Sequence, residues 1–221
     1  MIGRLEAMPD LVTFDVTEEL YRIVRLINSR GGLAGTFAKE DEIDQRVLEN
    51  LTTREFVKSL RAVSAVCIEA IEPNSNPKKA PDCFGWINGS RASIELTEMV
   101  DEALLEEIQA SFGTATVVSP YHGAGFYRSQ WTSKRLDDAL TKRVRAKSAK
   151  YERIGLDIDY LVVHTDETRL TPHQVAEWLP ELNLSRAPRI RHAFLLMTYD
   201  PSFTQTDEPA AARLWPLFRL F

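Results

Sequence analysis

The dipeptide Asn88-Gly89 stands between two short apolar runs, residues 83–88 and 91–99. Asn-Gly is typical of two-residue turns in which both residues take positive φ, and such turns join antiparallel strands. A third run of the same kind, residues 65–72, precedes the pair. The three runs therefore predict three successive strands, the last two of which form a β-hairpin.

The residues before these strands have the spacing of helices. Residues 15–32 place apolar side chains on one helical face and end at Gly31-Gly32. A shorter acidic helix is predicted over 39–51, and a third over 52–65. Thr52 and Glu55 have the spacing of a capping box, so Thr52 is expected to begin the third helix.

Helical and strand-like periods alternate after the hairpin. The predicted elements are a helix at 101–113, a loop at 114–130, a basic helix at 133–151, a strand at 159–166, a helix at 172–180, a strand at 191–200 and an edge strand at 214–221. This alternation of helices and strands predicts an α/β fold.

Composition narrows the classes of protein. The chain has 221 residues, of which 44% are hydrophobic and 27% charged, which is ordinary for a soluble protein with one main core. No stretch approaches the roughly 20 apolar residues of a membrane span, so a cytoplasmic protein with no membrane contact is expected. Two cysteines are too few for a disulfide framework or a zinc knuckle. The net charge of −5 argues against nonspecific nucleic-acid coating.

Two acids stand in the predicted strands, Asp82 directly after Pro81 and Glu95 in the third strand. Strand alternation puts Glu95 and Thr97 on one face and the aliphatic Ile94 and Leu96 on the other. Carboxylates on adjacent strands can hold Mg²⁺, which keeps several waters. The alternative is structural: Asp82 is a turn residue, and Glu95 is a solvent-facing partner of Arg91 or of a helix.

The order of helix, three strands, helix and strand, with Pro81-Asp82 and Glu95 on successive strands, resembles the restriction-endonuclease-like superfamily with its PD-(D/E)XK signature. The resemblance covers residues 52–221 and is to small bacterial members. It implies that these residues form an α/β core with a mixed sheet flanked by helices, and that residues 1–51 are a helical extension. It implies Mg²⁺-dependent (or Mn²⁺-dependent) hydrolysis of nucleic-acid phosphodiesters, with DNA as the expected partner and a defence or mobile element as context. Asp82 and Glu95 would be the metal ligands. Thr97 stands where the signature has its catalytic lysine, and a hydroxyl cannot supply that charge.

A lysine from the basic helix is the candidate replacement. Leu136, Leu140, Val144 and Tyr151 form an apolar stripe, and Lys147 falls in its gap, so Lys147 is predicted to point inward. It also stands four residues before Tyr151, which parallels a Q-x-x-x-Y helix motif of some members of the superfamily. The alternative is that Lys147 extends along the helix to solvent. Lys150 is the second candidate.

The same helix also suggests a nucleic-acid contact. Residues 134–153 hold eight Lys or Arg against three Asp or Glu, and the residues predicted to follow a phosphate backbone are Lys142, Arg143, Arg145 and Lys150. The alternative is an ordinary solvated face. A second class of function is also open, a nuclease-fold protein that no longer cuts and that binds a protein or nucleic-acid partner. The N-terminal helices are the candidate surface for such a partner or for a homodimer.

Overall fold

The computed structural model describes residues 42–76, 79–100, 130–165, 167, 169–198 and 214–221. Its helices are α1 (Glu42–Val63), α2 (Ser133–Ile154) and α3 (Pro172–Trp178), and a 3₁₀ helix (Leu179–Glu181) follows α3. Its strands are β1 (Glu69–Pro73), β2 (Cys83–Ile87), β3 (Ser90–Glu98), β4 (Ile158–Thr165), β5 (Ile190–Met197) and β6 (Leu217–Arg219). The helices predicted at 15–32 and 101–113, and nearly all of the predicted loop, lie outside the described residues.

The described strands form one six-stranded mixed sheet in the order β1-β2-β3-β4-β5-β6. The first three strands are antiparallel neighbours, β3, β4 and β5 run parallel, and β6 returns antiparallel to β5. Asn88 and Gly89 have φ values of 49° and 76°, as a tight hairpin turn requires. The predicted α/β class, hairpin and strands are therefore confirmed for the described chain.

The helix α1 differs from the prediction. Residues 42–63 form one continuous helix, and Thr52 lies inside it with 1% of its surface exposed. A residue in a helix interior has no unpaired amides ahead of it to cap, so the capping-box interpretation of Thr52 and Glu55 is wrong. The pattern fits an interior position equally well because Thr and Glu three residues apart also occur within helices. The boundary expected after residue 51, between the helical extension and the α/β core, falls within this helix.

The core lies on both faces of the sheet. On one face α1 packs through Phe56 and Leu60 onto the middle strands. On the other face α2 and α3 cover β4 and β5. The central residues of β4 (Leu161, Val162 and Val163) are each 0% exposed, which confirms the predicted burial on both sides. None of the described helices has the length and apolar character needed to cross a membrane.

Helix α2 has well-formed ends and one buried face. The side chain of Thr132 caps its start by accepting a hydrogen bond from the Arg135 amide at 3.2 Å. Gly155 ends it in the left-handed conformation, with φ of 66°. The buried stripe of the helix comprises Leu136, Leu140, Val144, Ser148 and Tyr151. This is the predicted stripe with Ser148 added.

Candidate functional site

Asp82 lies immediately before β2, after the cis bond Ala80–Pro81. The side-chain amide of Asn74 donates to the carbonyl oxygens of Pro81 at 2.7 Å and Lys79 at 3.0 Å. The backbone amide of Asn74 donates to the Asp82 carbonyl at 2.9 Å. Asn74 therefore fixes the segment that carries the aspartate. Sequence reasoning missed this residue, whose only signal was its place in a turn-forming Asn-Ser-Asn-Pro stretch.

Glu95 lies in the middle of β3, on the face that α2 covers, and is 1% exposed. Arg91 pairs instead with Glu72, at 3.8 Å between nitrogen and oxygen. The interpretation of Glu95 as a solvent-facing partner of Arg91 is therefore wrong. Because burying a charged carboxylate is costly without a partner, its surroundings have to compensate the charge.

Leu96 connects the two acids through its backbone. Strand β2 begins at Cys83, which lies opposite Ile94, so β3 continues past β2 at Leu96. The Leu96 amide donates to Asp82 Oδ2 at 2.7 Å, and the Leu96 carbonyl accepts from Lys147 Nζ at 3.0 Å. The side chains of Asp82 and Lys147 thus form the hydrogen bonds to the Leu96 backbone that a neighbouring strand would otherwise form.

Lys147 compensates the buried glutamate. Its Nζ lies 2.6 Å from Glu95 Oε1, and its side chain is 21% exposed. The predicted inward orientation is confirmed, and the alternative in which Lys147 extends to solvent is wrong. Lys150 approaches the same oxygen at 3.7 Å with a side chain that is 45% exposed. Two lysines of α2 therefore meet one carboxylate oxygen.

The other oxygen of Glu95 has no hydrogen-bond partner among the described residues. Both Glu95 Oε2 and the Tyr151 hydroxyl are buried without a hydrogen bond of good geometry to that part of the chain. Burial raises the pKa of Tyr151 most, and the charge of Glu95 and a weak side-chain hydrogen bond to its carboxylate raise that pKa further. The phenol therefore interacts with Glu95, although not with the geometry of a good hydrogen bond. An unpaired buried carboxylate oxygen is rare, and a bound ion or water is one of its ordinary explanations.

The buried glutamate affects the ionisation of Asp82. Burial, followed by the negative charge of Glu95, raises the pKa of Asp82 from 3.8 to about 7. The hydrogen bond from the Leu96 amide and the charge of Lys147 act in the opposite direction. Two carboxylates held close enough to repel each other form an arrangement that a cation stabilises.

A third acid approaches from α1. The charge of Glu49 adds a smaller increase to the pKa of Asp82, and it also affects Cys83, whose pKa burial raises to about 11. Thr53 fixes this part of α1, because its hydroxyl donates to the Glu49 carbonyl at 2.8 Å and contacts Cys83 Sγ at 3.4 Å. From the sequence, no acid of this helix was assigned to the site, and Glu49 was missed.

The remaining predicted residues occupy different places. Thr97 lies two residues beyond Glu95 on the same face, is half-buried and pairs with Val163 in β4. Lys142 and Arg145 are exposed on α2. Arg143 is half-buried and shares a helix face with Lys147, four residues later. The four basic residues predicted to contact phosphate thus do not form one outward face, because Arg143 and Lys150 lie on the side of the acids.

The oxygen atoms around Lys147 are of the chemical type that a hard divalent ion binds. The Lys147 ammonium contacts both Glu95 Oε1 and the Leu96 carbonyl, so these two oxygens already bind a positive group. With the carboxylate of Asp82 they are the all-oxygen donors that Mg²⁺ prefers, with waters completing its shell. Across the described ranges, no group of three His, Cys, Asp or Glu side chains surrounds a common metal position. The protein ligands would therefore be two carboxylates and a carbonyl.

Comparisons of the chain with family models, with curated proteins and with solved structures found no match. The site is therefore interpreted from its own geometry.

Proposed function

We propose that this protein is a metal-dependent nuclease with a restriction-endonuclease-like fold. The observation that carries the proposal is the contact of 2.6 Å between Lys147 Nζ and Glu95 Oε1. It supplies, from a helix, the positive charge that Thr97 cannot supply from the strand. A structural ion pair would also compensate Glu95, but it would not explain the unpaired Glu95 Oε2 or the nearby carboxylate of Asp82.

Each residue has a role in this proposal. Asp82 and Glu95 bind Mg²⁺ or Mn²⁺, and the Leu96 carbonyl completes the protein ligands. A bound ion would make a coordinated water more acidic and neutralise charge on the phosphate. Lys147 stabilises the negative charge that builds on the phosphate, as preorganised cations do in such reactions. Lys150, the more exposed of the two lysines, contacts the substrate backbone.

Cleavage of supercoiled plasmid and of a labelled single-stranded oligonucleotide tests the proposal. We expect cleavage with Mg²⁺ or Mn²⁺ and none with EDTA. Asp82→Asn and Glu95→Gln should abolish it, because each removes one charged ligand. Asp157→Asn is the matched control, since that carboxylate is 75% exposed and pairs with Arg189 at the surface. Equal cleavage by all variants would assign the activity to a contaminant, and no cleavage by the wild type would reject the proposal.

One observation favours the second candidate, a nuclease-fold protein that binds a partner without cutting. Lys147 already compensates Glu95 and binds the Leu96 carbonyl, so Glu95 Oε1 and this carbonyl are satisfied without a metal ion. In that case divalent ions should leave both the thermal stability and the partner affinity unchanged. Isothermal titration with Mg²⁺ distinguishes the two candidates, because only the nuclease requires a site with measurable affinity.

A further inference from the structure

Aromatic side chains lie beside the candidate site on the same face of the sheet. Strand alternation puts Asp82, Phe84 and Trp86 on one side of β2. Phe84 pairs with Ser93 in β3, two residues before Glu95, so this side is the one that carries the acids. Phe84 and Trp86 are half-buried, whereas Cys83 and Gly85, which point to the other side, are buried. The face that carries the site therefore leaves two aromatic rings partly accessible.

Arg91 extends this aromatic surface. It pairs with Trp86 across the hairpin, and its guanidinium carbon lies 3.5 Å from the centroid of the Phe84 ring. At that distance the planar group rests on the ring face. The Arg91 side chain is nevertheless 51% exposed, and Glu72 contacts it at 3.8 Å. Arg91 thus presents a flat, positively charged surface to solvent, backed by Phe84.

We infer that Trp86 and the Arg91–Phe84 pair form a stacking surface for unpaired bases, and that the substrate class is single-stranded nucleic acid. The inference rests on the proposed nuclease function in one respect, which is that the bound nucleic-acid strand runs toward Asp82. Aromatic rings and guanidinium planes are the groups on which exposed bases stack. A positive charge at the surface suits an anionic polymer. Bases inside a duplex are stacked on each other and cannot use such a surface.

The spacing suits a strand that passes the metal ligands. At about 3.3 Å per residue, Phe84 lies about 7 Å and Trp86 about 13 Å from Asp82 along β2. The surface would therefore hold bases next to the phosphate at the carboxylates. It would act by positioning the strand and by favouring unpaired bases, without taking part in the chemistry.

Fluorescence anisotropy in EDTA tests the inference, because binding is then measured without metal or cleavage. The probes are labelled oligothymidylate and oligouridylate of about 20 nucleotides, an abasic strand of the same length and a duplex of the same length. Each probe is longer than the stretch of nucleotides that a typical single-strand binding site covers. We expect one or both base-containing strands to bind at least about tenfold more tightly than the abasic strand, since stacking adds about that much per base. The better of the two identifies the strand as DNA or RNA.

The variants separate stacking from charge. Arg91→Lys keeps the charge but loses the planar group, and Trp86→Leu loses the ring, so each should lose most of the preference over the abasic strand. Arg135→Lys is the matched control, since Arg135 also lies over an aromatic ring, that of Trp131 at 4.9 Å, but about 18 Å along α2 from Lys147. It should keep the preference.

Equal affinity of the wild type for base-containing and abasic strands, or tighter binding of the duplex, would overturn the inference. So would retention of the full base preference by Arg91→Lys and Trp86→Leu. Circular dichroism confirms that each variant is folded, and Phe84→Leu provides a third test if Trp86→Leu is not. Failure of the nuclease proposal appears separately, as base-dependent binding by a protein that cleaves no strand with Mg²⁺.

Discussion

Lys147 Nζ lies 2.6 Å from Glu95 Oε1, although the two residues are 52 positions apart in the chain. The lysine comes from the helix that leads from β3 back to the parallel strand β4, so the crossover brings it onto the face that carries Glu95. The contact is separate from the hydrogen bond that joins Asp82 to the Leu96 amide. Each side of the site can therefore be altered without removing the contact on the other.

Divalent ions should stabilise the folded protein. A ligand that binds only the folded state raises the melting temperature by mass action. We expect Mg²⁺ or Mn²⁺ to raise the melting temperature of the wild type and to have no effect on Asp82→Ala, as measured by differential scanning calorimetry. Asp157→Asn should respond like the wild type. An equal increase in wild type and Asp82→Ala would place the ion elsewhere.

The charge of Asp82 should make the metal-free protein less stable as pH rises. Burial and the charge of Glu95 raise the pKa of the Asp82 carboxyl from its usual 3.8 to about 7 in the folded protein. Between these values the folded state holds more protons than the unfolded state, so the free energy of unfolding falls with increasing pH. Asp82→Asn removes this cost and keeps an acceptor for the Leu96 amide.

In EDTA, we expect Asp82→Asn to be more stable than the wild type by about 1–3 kcal/mol near pH 8. The difference should shrink as pH falls toward about 3, below the pKa in either state, where the wild-type carboxyl is protonated in both. Urea unfolding at several pH values measures it. A difference that does not change with pH would mean that the charge of Asp82 is not the cause.

The sequence predicted those parts of the site that follow from local periodicity. The helical period predicted that Lys147 lies on the same face of its helix as Leu140 and Val144. The strand period predicted that Glu95 and its neighbour Ile94 point to different faces of the sheet. Contacts made by the backbone or by separate elements were not predictable. The two bonds of Leu96 arise because β2 begins only opposite Ile94, and the approach of Glu49 depends on how α1 packs. Neither has a signature in a single run of residues.

Asn74 should support the site without touching an ion. Its side chain holds the Lys79 and Pro81 carbonyls, so Asn74→Ala should lower the free energy of unfolding by about 1–2 kcal/mol. Because Asp82 then loses its fixed position, the increase in melting temperature caused by Mg²⁺ should also become smaller. Asn183→Ala, at an exposed position, is the control. An unchanged response to Mg²⁺ in Asn74→Ala would limit Asn74 to a structural role.

The exposed basic residues of α2 should contribute to the salt dependence of binding. If Lys142 and Arg145 bind phosphates, replacing both by Ala should reduce the slope of log affinity against log salt by about one for each phosphate that is no longer neutralised. The matched control replaces Arg54 and Arg61, which are exposed on α1 across the sheet. Titration of a labelled strand at several salt concentrations measures both slopes. Equal slopes in the two double variants would leave Lys142 and Arg145 as solvated residues.

The last prediction concerns Lys147, through the variant Lys147→Met. Methionine keeps an apolar stem in the stripe but leaves the buried Glu95 with only Lys150 at 3.7 Å. We expect the metal-free variant to lose about 2–4 kcal/mol of unfolding free energy, because removing one partner leaves a buried charge poorly compensated. Mg²⁺ should recover much of this loss, since the ion supplies the missing positive charge. Urea unfolding with and without Mg²⁺ measures both effects.

The same variant separates chemistry from binding. A cation that acts on the transition state contributes more to rate than to substrate affinity, so the single-turnover rate of Lys147→Met should fall about 100-fold while substrate affinity stays nearly the same. Thr97→Lys in this background places an amine on the face that Glu95 occupies, and it should restore part of the rate. Full activity of Lys147→Met would move the role to Lys150. A loss of affinity with an unchanged single-turnover rate of the bound complex would instead make Lys147 a binding residue, because the lysine would then act equally on the bound substrate and on its transition state.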